Sequence, residues 1–242
     1  MNYKIAKVAL QGSGHRQNNI PCQDKTAGVK TEDFACAVLA DGAGSRLYSD
    51  IGAQAAADAA CVYLAGCQTF DDFDGSAFLS EITRTLNAVD YPFSELSSTL
   101  LLVAVRQNSV LLGHLGDGLI VGIHNGEAEV LSEAENGAQK NVTFFTTDAD
   151  AEAHFRYRIM PLPSQDDYTF LLMSDGGADC LYNRAENSVA KAAIRFAEWL
   201  EDNSESEVEE AIAYNLSMIV DGLTPDDVSV ALIRAEQESA AQ

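Results

Sequence analysis

Residues 171–180 read LLMSDGGADC. Three apolar residues and a serine lead to Asp175, and two glycines follow it directly. Such an apolar run reads as a buried strand, and a buried strand that ends on a carboxylate needs protons, cations or backbone donors against the cost of desolvation. Glycine after the carboxylate permits a tight turn and close approach of neighbouring backbone. The arrangement recurs upstream, where DFACAVLA at 33–40 runs into Asp41-Gly42-Ala43-Gly44.

Working outward, residues 3–10 read as a first strand and 33–40 as a second, buried one. SDIGAQAAADAACVYLAG (49–66) predicts a helix with Ile51, Ala55, Ala59 and Val62 on its apolar face, Ser49 or Asp50 as cap and Gly66 as stop. A second helix is expected over 76–89, ahead of Tyr91-Pro92. The pattern then changes to strands: STLLLVAV, SVLLGHLG, LIVGIHNG and AEVLS, broken at Gln107-Asn108, Asp117-Gly118 and Asn125-Gly126. Those breaks suit hairpin turns, which predicts an antiparallel meander. Residues 132–141 are polar, and VTFFTT (142–147) and FRYRIMPL (155–162) are candidate further strands. Asn183 with Glu186 resembles a capping box for a helix reaching about Leu200, and Ser204 with Glu207 repeats it for a helix reaching about Val220. VSVALI at 228–233 closes the pattern as a strand. This order suggests two sheets covered by helices on their outer faces, in a single domain over residues 1–242, since no Pro/Gly/Ser linker divides the chain.

Bulk properties narrow the function. A formal net charge of -22 opposes nonspecific attraction to nucleic acid or an anionic membrane surface, so neither is an expected partner. Five cysteines without a CxxC pair suggest reduced thiols and, with no signal-like or membrane-length apolar run, a cytoplasmic location. Cys22 as a nucleophile lacks a His or basic partner.

The chemistry-bearing residues are five aspartates. Asp24 lies in PCQDKT, Asp41 and Asp175 end buried strands, Asp117 follows LLGHLG, and Asp226 precedes the last strand. Singly, an Asp-Gly reads as a turn. If Asp24, Asp41, Asp175 and Asp226 meet at one end of two packed sheets, their repulsion destabilises an empty cluster and a hard divalent cation relieves it. Gly42 then leaves a carbonyl or a bridging water as a further oxygen ligand. Zinc fits poorly, because the four histidines and five cysteines show none of its ligand spacings. His15, near Asp24, reads either as a phosphate donor or general acid, or as a surface hydrogen-bonding residue. His114 reads as strand packing or a local hydrogen bond.

The chain resembles the metal-dependent PP2C-like (PPM) serine/threonine phosphatases. The matching pieces run in family order: GSGHRQNNIPCQDKT (12–26), VLADGAGS (38–45), SSTLLLVAV (97–105), LLGHLGDGLIVG (111–122), LLMSDGGAD (171–179) and TPDDVSVALI (224–233). The resemblance implies an α+β fold, a four-layer α-β-β-α sandwich with two central, mainly antiparallel sheets, and two Mg²⁺ or Mn²⁺ ions at one end. It implies that Asp41 bridges the ions, Gly42 offers its carbonyl, Asp175 and Asp226 bind one ion, and Asp24 lies near the other. Asp117 matches the aspartate of the family's Gly-Asp-Ser turn and reads as turn support. The implied substrate is a phosphorylated protein, with a cognate Ser/Thr kinase or its target as partner.

The chain departs from the family at several points. Gln23-Asp24 stands where Glu-Asp is common. Arg16 is the one candidate for the phosphate-binding Arg, at longer spacing than usual. The final Asp-Asn is Asp226-Asp227, and the Thr-x-Asp-His that usually follows the central strands is missing from LSEAENGAQK (131–140). A noncatalytic phosphoprotein-binding domain and a small-molecule phosphatase therefore stand as alternative readings.

Overall fold

Side chains alternate across a strand, so a strand buried along its whole length must be covered on both faces. The computed structural model, which describes residues 1–134, 143–162 and 167–236, shows how that is met. Strand β1 (Asn2–Leu10) and a short helix α1 (Ser13–Asn18) precede β2 (Lys25–Lys30) and β3 (Phe34–Ala40). Helices α2 (Ser49–Gly66) and α3 (Gly75–Asn87) follow, then β4 (Leu100–Arg106), β5 (Ser109–Leu115), β6 (Leu119–His124) and β7 (Glu127–Ser132). The next elements are α4 (Ala151–His154), β8 (Arg156–Pro161), β9 (Tyr168–Met173), α5 (Asp175–Leu181) and a small hairpin, β10 (Tyr182–Asn183) with β11 (Ser188–Val189). Helices α6 (Lys191–Asp202) and α7 (Glu205–Leu223) lead to β12 (Val228–Glu236).

The strands form two five-stranded sheets, β1-β12-β9-β6-β7 and β2-β3-β4-β5-β8, and every pairing is antiparallel. Alternation sorts β3 and β4 between two cores. Ala35, Ala37, Leu39, Leu101, Val103 and Val105 point inward, against Phe170, Leu172, Ala231 and Ile233 of the other sheet. Cys36, Val38, Ala40, Leu100, Leu102 and Ala104 point outward, under α2 and α3. On the opposite face of the molecule, Leu171, Met173, Val228, Val230 and Leu232 meet α5, α6 and α7 through Leu181, Phe196, Leu200, Ile212 and Leu216. Three apolar cores thus separate four layers, the sandwich that the resemblance implies.

Several local expectations are corrected. The central strands do not make one meander: β4 and β5 belong to one sheet, β6 and β7 to the other. Gln107-Asn108 and Asn125-Gly126 are the true hairpin tips, with Gln107, Asn125 and Gly126 at positive φ, whereas Gly116-Asp117-Gly118 carries the chain between sheets. VTFFTT forms no strand in its described part; Phe145 N instead donates to Asp148 Oδ2 in a turn. Asn183 starts no helix. Its Oδ1 accepts from Ala185 N and Glu186 N at the tip of the β10–β11 hairpin, and α6 begins only at Lys191. The Ser204–Glu207 capping box forms as expected at the start of α7. Lys25–Lys30, whose Lys, Thr and Gly give no clean alternation, pairs with β3 as a strand that the pattern did not announce. Most of the polar stretch 132–141 lies outside the described residues.

Helix α2 buries a different face from the one expected. Val62 is 74% exposed, while Ala53, Ala56, Ala57, Ala60 and Leu64 are buried. Alanine on every side leaves the pattern ambiguous, and Gly52 breaks the tie by letting the helix approach residue Leu96. Neither Ser49 nor Asp50 caps α2; Tyr48 holds the N-cap position without a side-chain bond, and Ser49 is buried.

A Cβ at Gly52 would lie 2.0 Å from the Leu96 carbonyl oxygen, whereas one at Gly66 meets nothing within 4 Å. Gly52→Ala is therefore expected to cost about 1–3 kcal/mol in urea unfolding, and Gly66→Ala to be neutral or slightly stabilising. Equal effects from the two substitutions would contradict this packing.

Candidate metal centre

Carboxylates collect where strands of both sheets end. Asp41 follows β3, Asp117 lies in the crossing from β5 to β6, and Asp175 opens α5 directly after β9. One carboxylate oxygen from each of these three half-buried residues lies within 4.8 Å of the other two. Asp117, read from sequence as turn support, is thus a full member of the cluster. Its carboxylate accepts a hydrogen bond from Thr143 Oγ1, and Gly116 takes the positive φ of +113° that the crossing requires.

Backbone bonds set the positions of the others. Asp41 N donates to Thr99 Oγ1 at 3.0 Å and Asp41 O accepts from Thr99 N at 2.8 Å, so β4 holds the end of β3 on both sides. Gly42 forms a single bridge with Ser98. Ser174 caps α5, its Oγ accepting from Gly177 N at 3.2 Å and from Ser229 N at 3.0 Å. One hydroxyl therefore fixes β9, α5 and β12 together. A Cβ at Gly176 would lie 2.1 Å from Asp227 O, so the glycine after Asp175 is what allows α5 to start against the Asp226-Asp227 segment.

Asp24 and Asp226 flank the triad without belonging to it. Asp24 is buried, and its Oδ2 has no hydrogen-bond partner although the Ser229 hydroxyl, also unpartnered, is close enough to influence it. Asp226 is exposed and acts on Asp175 through its charge. Arg16 and His15 lie on α1, whose Gly14 N donates to Pro225 O at 2.9 Å. Arg16 is exposed and donates to Gln11 O. His15 Nδ1 lies 2.9 Å from Asp227 Oδ2, without the alignment of a hydrogen bond.

Two positions noted in sequence only as departures from the family take structural roles at the site. Asp227 is buried and accepts from Gly12 N at 2.7 Å through Oδ1 and from Gln23 N at 2.6 Å through Oδ2, tying α1 and the Gln23-Asp24 segment to the start of β12. Gln23, where the family often has Glu, donates through Nε2 to Ser49 Oγ at 2.6 Å and to Arg46 O at 3.2 Å. It therefore links this segment to the start of α2. The doubled aspartate at 226–227 was a signal for the first; the second depends on a contact 26 residues away that no local pattern carries.

The donor set is all oxygen, with neither His nor Cys in the triad, which fits a hard divalent cation better than zinc. Electrostatics agree. Burial is the main reason that the Asp41 carboxyl is held well above the ordinary carboxylate range, and the charges of Asp24, Asp175 and Asp117 add to it. Burial, then Asp117 and Asp226, push Asp175 up to about 6. Burial also pushes Asp24 up to about 7, against the lowering effect of the Ser229 and Ser174 hydroxyls.

The family model described as protein phosphatase 2C matches residues 11–217. Among curated proteins none matches. Similar solved structures include a serine/threonine phosphatase of S. agalactiae, 18% identical, with a TM-score of 0.67 over 96% of this chain and 99% of the other. Serine/threonine phosphatase Stp1 from Staphylococcus aureus is 15% identical, with a TM-score of 0.69 over 98% of this chain and 96% of its own. PppA, described as a regulatory component of T6SS in Pseudomonas aeruginosa, is 17% identical, with a TM-score of 0.65 over 98% and 99%. At these identities the likeness establishes the fold.

The raised carboxyls predict a pH-dependent response to metal. Their protonation is favoured in the folded chain, so the stability they contribute without metal is present below about pH 4 and is lost as pH rises through 6 to 7. Mn²⁺ competes with those protons, so the rise in Tm on adding Mn²⁺ to chelator-treated protein should be small at pH 5 and large at pH 7.5. Asp41→Asn should flatten that difference. A Mn²⁺ shift of equal size at both pH values would contradict the assignment.

Proposed function

The chain belongs to the protein phosphatase 2C family, a family of metal-dependent protein serine/threonine phosphatases, and from that premise we propose how its residues divide the work. The observation that carries the proposal is the Asp41–Asp117–Asp175 triad, built of oxygen donors that repel one another until a cation joins them. Its substrate is a phosphorylated protein. The whole of residues 1–242 forms, in this reading, one phosphatase domain.

Asp41, Asp117 and Asp175 would hold a divalent cation. Asp226 would add to that ion's oxygen ligands, and Asp24 with the Gly42 carbonyl would help hold a second, so the reading is of two Mg²⁺ or Mn²⁺ ions. The chemistry such ions supply is a lower pKa for water at the site and neutralisation of phosphoryl oxygens as charge develops. Arg16 would bind those oxygens with its planar fork of donors, presented from α1. His15, with Nδ1 turned toward Asp227, would carry on Nε2 the proton that the leaving serine or threonine oxygen needs. Neither role requires a serine or cysteine nucleophile. Burial pushes the Cys22 thiol up to about 12, which speaks against a thiolate there.

No helix among the described residues is long and apolar enough to cross a membrane, and all five cysteines are free. In this reading the protein works in the cytoplasm, with a Ser/Thr kinase or its target as the partner in signalling. The net charge of -22 speaks against a nucleic-acid partner.

Purified protein with Mn²⁺ is expected to hydrolyse p-nitrophenyl phosphate and a phosphothreonine peptide. Asp41→Asn and Asp117→Asn should each lower kcat/KM by about 100-fold or more, with weaker Mn²⁺ binding in calorimetry. Folded, metal-loaded protein that turns over neither substrate would overturn the reading.

A further inference from the structure

Asp117 has a second neighbourhood. Besides joining the carboxylate triad, it lines an open cleft of about 410 Å³ whose other walls include Ala178 of α5, Glu133 after β7, and Tyr182, Arg184 and Asn187 of the β10–β11 hairpin. Because α5 starts at Asp175, the same helix that carries one triad residue forms the cleft wall one turn further on.

The hairpin that presents Arg184 is braced. Asn183 Oδ1 accepts from Ala185 N at 3.0 Å and from Glu186 N at 3.3 Å, Tyr182 donates its hydroxyl proton to Asn187 Oδ1, and Ala190 N donates to Leu181 O at 2.7 Å at the base. Asn187 turns the chain back at a φ of +50°. Such bracing lowers the entropic cost of using the arginine as a fixed contact.

Arg184 is exposed and makes no hydrogen bond or ion pair with any other described residue. Elsewhere the chain commits its arginines: Arg46, Arg84, Arg106, Arg195 and Arg234 all pair with carboxylates. An uncommitted guanidinium in a cleft that one triad residue also lines stands out in a protein of net charge -22, whose overall field repels anionic peptide. Among the described residues it is the one cation lining the cleft, whose charged lining is otherwise the carboxylates of Asp117 and Glu133.

We propose that Arg184 is a specificity-determining residue that binds an anionic group flanking the phosphoresidue held at the triad. The group is a carboxylate or a second phosphate, since the guanidinium fork matches both. The proposal rests on the phosphatase reading above and deepens it, because Asp117 belongs both to the triad and to the wall of this cleft.

The test uses matched phosphothreonine peptides whose flanks, on either side, carry Glu, a second phosphoserine, Ala or Lys. Wild-type protein with Mn²⁺ should prefer an anionic flank over Ala by about fivefold in kcat/KM, with the preference shrinking at high salt. Arg184→Ala should bring that ratio close to one, and Arg184→Glu should favour the Lys flank. The Glu and phosphoserine arms distinguish the two anions. The same peptides with a non-hydrolysable phosphonate, followed by fluorescence anisotropy, give the order without turnover. A protein that hydrolyses nothing but keeps this order in binding would sink the phosphatase reading and leave Arg184's role standing. No anionic preference in wild-type binding, a Lys preference set by Glu133, or an order unchanged in both Arg184 variants would overturn the proposal.

Discussion

Repulsion among half-buried carboxylates is the constraint on which this structure turns. Asp41, Asp117 and Asp175 come from two sheets and a helix start; the charges of Asp175 and Asp117 disfavour ionisation of Asp41, and that of Asp117 disfavours ionisation of Asp175. A fold that brings them together must be held by interactions elsewhere. The three apolar cores supply that hold: one joins the sheets, and one lies between each sheet and its helices. With both faces of β3 and β9 packed, the strand ends have little freedom to spread apart and relieve the repulsion. The cluster remains poised for a cation because the cores do not yield.

Asp227 plays the complementary part. It lies beside the triad, yet its oxygens are taken by the Gly12 and Gln23 backbone donors, with His15 close by. A carboxylate satisfied in this way is a structural tie, which brings α1 and Asp24 to the same end as Asp175 and Asp226. Gln23 adds a further tie through Ser49 to the first turn of α2. The exchange of Glu for Gln in this motif therefore gives up a possible acidic contact and gains a neutral link between layers. In the cleft that Asp117 also lines, Arg184 stands uncommitted, so the site has a closed, hydrogen-bonded neighbourhood at Asp227 and Gln23 and an open one at this cleft.

The parts of this structure legible in sequence were those in which local chemistry and tertiary role coincide. Apolar runs ending in Asp-Gly announced β3 and β9 and two members of the triad, and Ser204 with Glu207 announced the start of α7. What escaped was decided by contacts between distant segments. Asp117-Gly118 has the composition of a hairpin tip, and only the presence of a second sheet distinguishes a crossing from a turn. Asn183 makes the same side-chain-to-backbone bonds in a hairpin that it would make at a helix cap, so its pattern fits both. Alanine around α2 concealed which face was buried until Gly52 met Leu96. The strand Lys25–Lys30 owes its existence to pairing with β3 and has little apolar pattern of its own.

The most direct measurement of the central claim is anomalous diffraction from crystals soaked in Mn²⁺. This account predicts a strong peak enclosed by the carboxylates of Asp41, Asp117 and Asp175, lost when Asp41 is replaced by Asn. Ordered crystals with the three side chains in place and no anomalous signal between them would contradict it.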